Sequence, residues 1–572
     1  MKPALKRLAA GLLLAPLATL AQLPAYAPVT DARLARPEPG NWLMYRGNYA
    51  GWGYSPLDKI NDGNVAKLTL AWSYATGMSE GHQAPPIVNN GYMYVSTPNN
   101  QVIAFEAKSG RELWRYRKPI PEELQQLHPT NRGVALYKDK LYLATTDAML
   151  VALDPVTGKE LWKTPVGEWK AGYYSTLAPL AARGKIVLGV SGGEYGVRGY
   201  VIALDAETGK EMWRTYTIPA PGEPGGDTWP GETYKNGGGS VWITGTYDAE
   251  TGISYWGTGN AAPWMPDTRR GDNLYANSTL ALDIDTGKLR GYHQYHWNDA
   301  WDWDEVSAPL LIDVERNGKT VKSLVHAGRN GYLWQLERTP DRIGFVDAWP
   351  YVQQNVFTAI DPKTGRPSYD PSRIPGTGKT VDFCPSLWGG KDWFPEAYSP
   401  RTGLFYIPAN NNLCSQLTGE AVKYKKGDLY IGVALDNILT NVRMTEASKT
   451  HIGEVQAWSL ADKRKVWTYT YPEMNWGPLM ATAGNLVFGG GTNDRLFRAF
   501  DATTGKLLWE HPASSGITGV PSSFEVDGEQ YIAVQSGWGV DAERMQGAFN
   551  AVLKHKTVVP QGGTVMVFKL GK

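Results

Sequence analysis

The segment 203-ALDAETGKEMW-213 has the pattern of two short strands joined by a tight turn. An apolar pair leads into an aspartate, and Thr208-Gly209 provides a turn in which glycine can adopt a positive φ. The aspartate can accept hydrogen bonds from N–H groups of the turn, and the returning strand ends on tryptophan. The pattern recurs as 104-AFEAKSGRELW-114, 152-ALDPVTGKELW-162 and 499-AFDATTGKLLW-509, and more weakly as 247-YDAETGISYW-256, 281-ALDIDTGKL-289 and 457-AWSLADKRKVW-467.

The spacing of these copies predicts the fold class. The first three begin at residues 104, 152 and 203, and self-similarity at such a period is typical of a β-propeller with one four-stranded sheet per repeat. At roughly 50–70 residues per blade, the chain makes about eight blades. We therefore predict an all-β fold, a single eight-bladed β-propeller domain over residues 28–572 with four-stranded antiparallel blades. We expect the repeat tryptophans to pack blade against blade and to have no catalytic role; they are Trp114, Trp162, Trp213 and Trp509.

Composition agrees with a folded β protein. Of the 572 residues, 42% are hydrophobic, which excludes gross disorder, and 64 Gly with 23 Trp suit many turns and large buried rings. The net charge of +1 gives no sign of a nucleic-acid partner.

The N-terminus predicts a secretory signal peptide over residues 1–27. A basic stretch, 2-KPALKR-7, precedes the apolar run 9-AAGLLLAPLATLAQL-23, and Ala25-Tyr26-Ala27 fits the small-x-small cleavage rule. A membrane anchor is the alternative, although the run is short for a span, and no later segment is long and apolar enough. We expect a periplasmic protein. Export favours a disulfide between Cys384 and Cys414, worth roughly 3 kcal/mol on the loop-entropy estimate, with two reduced buried thiols as the alternative.

Several common cofactor and catalytic motifs are missing from the sequence. There is no C-x-x-C-H for covalent haem, no H-E-x-x-H, no G-x-S-x-G and no dinucleotide fingerprint. The stretch 373-RIPGTGKT-380 ends like a P-loop but has Arg373 where the first glycine is required. Any chemistry must come from residues that interrupt the repeat, because a propeller does not fix function.

The stretch 301-WDWDEVS-307 contains two acids, Asp302 and Asp304, two residues apart. In an extended segment their side chains point to the same side. Two like charges on one side are tolerable if they are solvated, or if a positive group lies between them. The first case is an ordinary loop and the second is a binding site.

Other segments outside the repeat fall in different blades, and matching points of successive blades converge on the axis of a propeller. Together they supply arginines, hydroxyls, carboxylates, an amide and tryptophans, which indicates an oxygen-rich metal site beside a flat anionic molecule. The segments are 128-HPTNRG-133, 174-YSTLAP-179, 190-VSGGEYGVRG-199, 237-GGGSVW-242, 257-GTGNAAPW-264, 299-DAWDWDEVSAP-309, 328-GRNG-331 and 475-NWGP-478.

In this order, the segments resemble the quinoprotein alcohol dehydrogenases, a family that uses pyrroloquinoline quinone (PQQ) and includes the large subunit of methanol dehydrogenase. The resemblance covers essentially the whole chain after residue 27 and implies an eight-bladed propeller. It also makes the two cysteines a structural disulfide. The roles it implies are cofactor binding by Arg132, Thr176, Ser191, Gly192, Gly193, Trp242, Arg329, Lys391, Asp392 and Trp476, metal binding by Glu194, Asn260, Asp302 and Asp304, and catalysis by Asp302 and Arg329.

The implied roles make chemical sense. PQQ is a tricarboxylate, so an arginine with hydroxyl donors suits its carboxylates, and Trp242 would support its flat ring. The metal acts as a Lewis acid on the quinone carbonyl, and Asp302 removes the proton of the alcohol as hydride moves to the quinone. Calcium enzymes of the family commonly have a small residue at the position of Asp304, whereas lanthanide-dependent members have aspartate. The added charge suits a trivalent ion, so we expect a lanthanide, with Ca²⁺ as the alternative.

The chain also departs from the family pattern. Adjacent cysteines that form a ring over the quinone in many members are replaced here by Gln126-Leu127, and Gln83 stands where methanol dehydrogenase has glutamate. Asp392 stands where relatives have asparagine, with Lys391 beside it. These departures favour a bulky alcohol, sugar-like or polycyclic and including secondary alcohols, over methanol. Without a haem segment, we expect a soluble periplasmic cytochrome c to accept the electrons.

Two other functions compete with this prediction. One is a calcium-dependent dehydrogenase of small primary alcohols with the same fold. The other is a non-catalytic propeller scaffold of an outer-membrane assembly complex, which shares the repeat but has no need for Arg132, Glu194 and Asp302 together.

Overall fold

The computed structural model describes residues 23–316, 318–434, 438 and 441–571. Within these residues, eight consecutive sheets of four or five strands form the blades of a propeller, as predicted. Residues 1–22 of the predicted signal peptide lie outside the described part, and cleavage after Ala27 stays a prediction. None of the helices in the described ranges is long and apolar enough to cross a membrane.

The first four blades follow the sequence strand by strand. Blade 1 contains Ile87–Asn89, Tyr92–Thr97, Gln101–Glu106 and Glu112–Arg117, and blade 2 contains Ala135–Tyr137, Lys140–Ala144, Met149–Leu153 and Glu160–Pro165. Blade 3 contains Leu180–Ala182, Lys185–Gly189, Tyr200–Asp205 and Glu211–Tyr216, and blade 4 contains Thr246–Asp248, Ile253–Gly257, Ser278–Asp283 and Leu289–Gln294.

The last four blades close the ring. Blade 5 contains Leu310–Arg316, Lys319–Ala327, Tyr332–Arg338 and Ile343–Pro350, and blade 6 contains Ala397–Ser399, Leu404–Asn410, Gly453–Ser459 and Arg464–Tyr471. Blade 7 contains Met480–Thr482, Leu486–Gly489, Leu496–Asp501 and Leu507–Pro512, with Tyr54–Ser55 added in parallel. Blade 8 combines Ser522–Val526, Glu529–Ser536 and Thr564–Leu570 with the early strand Leu68–Ala75, which pairs antiparallel to the last strand and so joins the two ends of the chain.

The remaining elements are short or lie between blades. A hairpin and a three-stranded sheet add to the loops around blade 6; their strands are Phe357–Ile360 with Pro367–Tyr369, and Thr380–Phe383 with Leu413–Thr418 and Val442–Met444. The predicted disulfide between Cys384 and Cys414 is present and ties two of these segments together. Among the residues that the structure describes, the α-helices are Asp31–Ala35 and Val540–Leu553, and the 3₁₀ turns are Val65–Lys67, Trp169–Ala171, Gly193–Tyr195, Gly226–Thr228, Thr233–Asn236, Pro266–Thr268 and Pro371–Arg373.

The repeated turn joins the third and fourth strands of its blade. In blade 3, Asp205 Oδ1 accepts hydrogen bonds from the backbone N–H groups of Glu207 and Thr208 at 3.1 and 2.8 Å, as the sequence predicted. The weak copy at 247–256 differs, because it joins the first and second strands of blade 4. Both kinds of turn lie on the same face of the ring, since the strands alternate in direction.

The repeat tryptophans pack between blades, which confirms their structural role. The ring of Trp213 in blade 3 covers Gly287 in the turn of blade 4, where an added Cβ would lie 2.5 Å from Trp213 Cε3. Trp213 Nε1 also donates to the carbonyl of Ile284 at 3.1 Å. Glycine is therefore required in the turn by its positive φ and also by the tryptophan of the preceding blade. The equivalent contacts are Trp114 on Gly158, Trp162 on Gly209 and Trp467 on Gly505, while Trp509 donates to the carbonyl of Leu68 in blade 8.

Candidate active site

The candidate site residues lie on the opposite face of the ring from the repeated turns. Each belongs to a loop between the second and third strands of a blade or to a connection between blades, and antiparallel strands bring both kinds of loop to one face. The 2–3 loops carry Ser191, Gly192, Gly193, Glu194, Asn260 and Arg329, and the connections carry Arg132, Thr176, Trp242, Asp302, Asp304, Lys391, Asp392 and Trp476. The segments therefore share one face of the ring, and the contacts described next show which of their side chains meet.

Three carboxylates meet at the centre of this face. One oxygen from each of Glu194, Asp302 and Asp304 lies within 4.8 Å of the others, and the two aspartates are buried. Burial raises the pKa of all three groups, to about 8 for Asp304 and well above the usual value for Asp302. The cluster is thus an electrostatically costly arrangement unless a cation balances it.

The segment of Asp302 and Asp304 is not extended, which corrects the sequence prediction. Asp302 has φ +59°, in the left-handed region, and the backbone N–H of Asp304 donates to the carbonyl of Asp302 at 3.1 Å. Asp299 sets this conformation, because its Oδ1 accepts from the backbone N–H groups of Trp301 and Trp303 at 3.3 and 3.4 Å. The two buried indoles stack with ring centroids 5.0 Å apart and anchor the loop, while the two aspartates still converge.

The positive group between the two acids is Arg329. Its Nη1 donates to Asp304 Oδ2 at 3.2 Å, and its Nη2 lies 3.8 Å from Asp302 Oδ2. Asp392 Oδ1 lies 3.5 Å from the same Nη1. Burial alone would lower the pKa of Arg329, but Asp392, Asp302 and Asp304 together raise it, so the guanidinium stays charged. Asp304 does not turn out to solvent, but it does bind a nearby side chain, Arg329, which is the ordinary alternative to a metal-binding role for this acid.

Glu194 is held by a turn that only glycine permits. Gly192 has φ +113°, and a Cβ there would lie 2.2 Å from the carbonyl oxygen of Gly172. A Cβ on Gly193 would lie 3.0 Å from Asn260 Oδ1, so the backbone passes close to that amide. The two glycines position Glu194 beside Asn260, whereas their predicted contact with the cofactor stays a prediction.

The donor set fits a hard metal ion. Both amide atoms of Asn260 are buried and have no hydrogen-bond partner among the described residues, and neither has Asp302 Oδ1. The backbone N–H of Asn260 donates to Asp304 Oδ1 at 2.6 Å, which fixes the amide next to the carboxylates. Buried polar atoms without partners are rare. Asn260 Oδ1 and Asp302 Oδ1 are oxygen acceptors, so a hard cation such as Ca²⁺ or a trivalent ion would satisfy both of them.

Arg132 is the centre of a cationic and aromatic cluster on the same face. The guanidinium carbon of Arg132 lies 4.7 Å from the ring centroid of Trp242 and 4.8 Å from that of Trp393. Arg132 Nη1 donates to Thr176 Oγ1 at 2.6 Å, and that hydroxyl is 3.3 Å from Ser191 Oγ. Arg132 Nε is buried without a partner among the described residues. Burial lowers the pKa of Arg132 to about 10, which still leaves it charged at neutral pH. A cation, two hydroxyls and two aromatic rings are the groups that suit a flat molecule with carboxylates.

Lys391 and Trp476, two other predicted cofactor residues, are buried among protein groups. The ammonium of Lys391 donates to Ser307 Oγ at 3.0 Å and to the carbonyl of Asp392 at 2.8 Å, and it lies 3.4 Å from Glu396. Its hydrogen-bonding capacity is largely used within the protein, so its cofactor contact remains a prediction. Trp476 is buried and packs edge-on against Phe394, with ring centroids 6.0 Å apart.

The sequence prediction missed Trp393 and Asp541. Trp393 stacks on Arg132 from a segment about 260 residues away, although its neighbour Asp392 was singled out. Asp541 lies at the start of the helix Val540–Leu553, and its Oδ2 is 3.4 Å from Nε2 of His128. Neither residue had a local signal in the sequence, because both act through contacts between distant loops.

Comparison with known proteins identifies the family. The chain matches the family described as "PQQ: Glucose/ethanol/alcohol dehydrogenase, beta-propeller domain" over residues 42–341 and 436–532. The chain belongs to the PQQ-dependent alcohol dehydrogenase family. The resemblance seen in the sequence is thereby confirmed. The protein is an oxidoreductase, and the scaffold alternative is set aside.

Individual relatives span nearly the whole chain. Quinoprotein alcohol dehydrogenase PedH of Pseudomonas putida is 35% identical over 547 residues, covering 91% of this chain and 90% of the relative. Quinoprotein alcohol dehydrogenase PedE of the same organism is 37% identical over 564 residues, covering 90% and 87%. Among solved structures, a europium-containing methanol dehydrogenase superposes with a TM-score of 0.87 at 35% identity, covering 94% of this chain and 100% of that one.

Proposed function

We propose that this PQQ-dependent dehydrogenase oxidises an alcohol at the carboxylate cluster, to an aldehyde or a ketone, with one metal ion bound there. The observation that carries the proposal is the grouping of Glu194, Asp302 and Asp304 around Asn260, whose buried amide lacks any partner in the described chain. Such a set balances its charge and its open lone pairs only when a cation is present.

Residues of the Arg132 cluster would hold the cofactor. Arg132, with the hydroxyls of Thr176 and Ser191, would bind carboxylates of PQQ through charge-assisted hydrogen bonds. Trp242 is partly buried, with the guanidinium of Arg132 over its ring, and it would support the flat ring system of the cofactor. When bound, PQQ supplies the hydride acceptor.

Asp302 would act as the base. Its Oδ1 has no partner in the described part of the chain, so it is free to accept the hydroxyl proton of the alcohol. Burial raises the pKa of Asp302, and Asp304 and Glu194 add to the increase, while Arg329 opposes it. A cation bound by the same carboxylates would lower that pKa and keep Asp302 ionised near neutral pH. Arg329 holds Asp302 and Asp304 in place and would also polarise the oxygens of the quinone.

The metal is proposed to be a lanthanide. Three carboxylates from Glu194, Asp302 and Asp304, beside an anionic cofactor, favour a trivalent ion over Ca²⁺. The similar methanol dehydrogenase contains europium, which supports this proposal. A calcium-dependent enzyme remains the competing candidate, because Arg329 already neutralises part of the charge of Asp304.

The substrate and the electron acceptor are inferred from the loops. Gln126-Leu127 replaces the adjacent cysteines, so we propose a bulkier alcohol than methanol. We also propose that the protein is periplasmic and passes its electrons to a soluble cytochrome c, since the sequence begins like a secretory signal and has no haem-attachment motif. Several relatives are named quinohemoprotein alcohol dehydrogenases, which supports cytochrome chemistry in the family.

Reconstitution tests the proposed function. The purified protein, stripped of metal and cofactor, should be inactive with an artificial dye acceptor. Adding PQQ with La³⁺ or Ca²⁺ should restore alcohol oxidation, whereas NAD should not. Strong activity with NAD alone, or no activity with any combination of PQQ and metal over a panel of alcohols, would contradict the proposal.

A further inference from the structure

The residues just before the predicted cleavage point lie against blade 1. Leu23 and Tyr26 are partly buried and pack against a cluster of buried hydrophobic residues in the propeller. The ring of Tyr26 meets that of Tyr92 edge-on, with centroids 6.0 Å apart and an interplanar angle of 73°. A Cβ added to Gly91 would lie 3.4 Å from Leu23 Cδ2. The segment 23–27 therefore covers the turn between the first two strands of blade 1.

Two side chains of blade 1 also hold the backbone of this segment. Tyr92 Oη donates to the carbonyl of Pro24 at 3.2 Å, and Asn89 Nδ2 donates to the carbonyl of Ala27 at 2.8 Å. Asn89 is fully buried, with an exposed fraction of 0%. A buried amide that loses its partner lowers the free energy of unfolding. Removal of residue 27 would take away the acceptor of this amide.

Arg33 makes a new chain end at residue 28 electrostatically unfavourable. Its Nη1 donates to the carbonyls of Ala27 and Pro28, both at 3.0 Å, and its Nη2 donates to Asn89 Oδ1 at 2.9 Å. Cleavage after Ala27 would replace one of these acceptors with the α-amino group of Pro28, which is positively charged at neutral pH. The new charge would lie next to the guanidinium, because Pro28 N is bonded to the carbonyl carbon whose oxygen Arg33 now contacts.

The sequence also disfavours a cut after Ala27. The next residue is Pro28, whose ring removes the backbone N–H and fixes φ. A peptidase that binds its substrate as an extended strand uses that N–H, so bonds that precede proline are poor cleavage sites. Upstream, 19-TLA-21 also has small residues one and three places before a cut, and Gln22 follows with an ordinary amide. Residues 19–22 lie outside the described part of the structure, and their assignment comes from the sequence.

We propose that signal peptidase cuts between Ala21 and Gln22, and that residues 23–27 stay on the mature protein, packed on blade 1. A leader of 21 residues keeps the basic stretch 2–7 and an apolar run over 9–20, and both lengths fit a secretory signal. The inference rests on the proposed periplasmic location and goes beyond the proposed reaction, since it does not depend on the alcohol, the metal or the cofactor.

Processing is tested with the full chain, exported by its own leader in a Gram-negative host and purified from the periplasm through a C-terminal tag. Intact mass gives the N-terminus, and a cyclised N-terminal glutamine counts as the same product. We expect a mature protein that begins at Gln22. A protein that begins at Pro28, or at any other residue, would overturn the cleavage site. A chain that keeps Met1 would in addition contradict the proposed export, whereas the proposed reaction is tested separately by reconstitution.

Two substitutions distinguish the two bonds. Leucine is too large for the position before the cut, so Ala21→Leu should lose most of its processing and accumulate as precursor. The matched control is Ala27→Leu, which should be processed like the wild type. Blots of precursor and mature protein give the two fractions. Any other pattern, such as normal processing of Ala21→Leu or a block in Ala27→Leu, would overturn the proposal.

Unfolding tests the packing of the segment by a separate measurement. Chains that begin at Gln22 and at Pro28 are produced without a leader in a host with an oxidising cytoplasm, so that the disulfide forms. The shorter chain lacks the contacts with Asn89 and Tyr92, so its thermal unfolding midpoint should be lower by about 2–4 °C, with turnover per folded molecule unchanged. Tyr26→Ala in the longer chain should give part of this fall. Equal midpoints of the two chains would overturn the role of the segment in the fold.

Discussion

The two faces of the propeller ring are built on different principles. On one face, the same turn returns blade after blade, with an aspartate such as Asp205 bonded to its own turn and a tryptophan such as Trp213 packed on the next glycine. On the other face, no motif repeats, like charges are buried together, and polar atoms of Asn260, Asp302 and Arg132 lack partners in the described chain. The repeated face satisfies most of its own groups, with exceptions such as Trp162 Nε1, whereas the other face groups several unpartnered atoms together, where a ligand could satisfy them.

This contrast separates stability from chemistry. Each repeated contact stabilises its blade, so its loss should lower the free energy of unfolding without changing turnover. The unsatisfied groups act in the opposite way, because they cost stability until a ligand binds. The following predictions test whether the two faces can be separated in this manner.

The largest effect is expected from Asp302→Asn. The variant should lose about 10²–10⁴ in turnover because the amide cannot accept the alcohol proton, while much of the quinone stays bound. Metal content must be measured in the same sample, since the amide also weakens one metal ligand. The matched control is Asp205→Asn on the repeated face, where an amide oxygen can still accept the turn hydrogen bonds and turnover should be unchanged. A fully metallated Asp302→Asn enzyme with wild-type turnover would show that Asp302 is not the base.

Trp213→Ala should damage stability and spare catalysis. Removing the buried indole leaves a cavity over Gly287 and deletes the bond to Ile284, at a cost of about 3–5 kcal/mol in the free energy of unfolding. The neighbouring Met212 is 49% exposed, so Met212→Ala should change unfolding little. Urea or thermal unfolding gives the first quantity and turnover per folded molecule gives the second. Lost turnover at unchanged stability would contradict the separation of the faces.

A smaller effect concerns pH in the metal-depleted protein. Asp304 has a folded pKa raised from 3.8 to about 8, so between these values the folded chain keeps a proton that the unfolded chain has lost. Stability contributed by this group is complete below pH 4 and declines as the pH rises towards 8. With a chelator present, the unfolding midpoint of the wild type should therefore fall more between pH 5 and pH 8 than that of Asp304→Asn, and added metal should remove the difference. If the unfolding midpoints of the two proteins changed equally with pH, the pKa of Asp304 would not be raised in the folded protein.

Local patterns in the sequence predicted the repeated face well. Asp205, Gly209 and Trp213 lie within one segment of eleven residues, and the turn they form needs only neighbours in sequence. The number of blades followed from the period. The resemblance to the PQQ-dependent dehydrogenases assigned Glu194, Asn260 and Asp302 to one site from the order of the motifs alone.

The features that the sequence did not predict depend either on contacts between residues far apart in sequence or on an unusual backbone conformation. Arg132 meets Trp393, and His128 meets Asp541, across hundreds of residues, and no local pattern encodes these contacts. The left-handed backbone of Asp302 was also missed, because alternation of tryptophan and aspartate suggested an extended segment. The same alternation of tryptophan and aspartate is also compatible with a buried loop that is held by hydrogen bonds to Asp299.

Asp304 is the residue that, on our proposal, makes the non-repeating face a site for a trivalent ion. The most direct measurement is the ratio of turnover with La³⁺ to turnover with Ca²⁺, determined for the wild type and for Asp304→Ala after reconstitution with PQQ. We expect a ratio well above one for the wild type and a clear fall of the ratio in the variant, with the unfolding midpoint of the propeller retained. A wild type that prefers Ca²⁺, or a ratio that the substitution leaves unchanged, would contradict it.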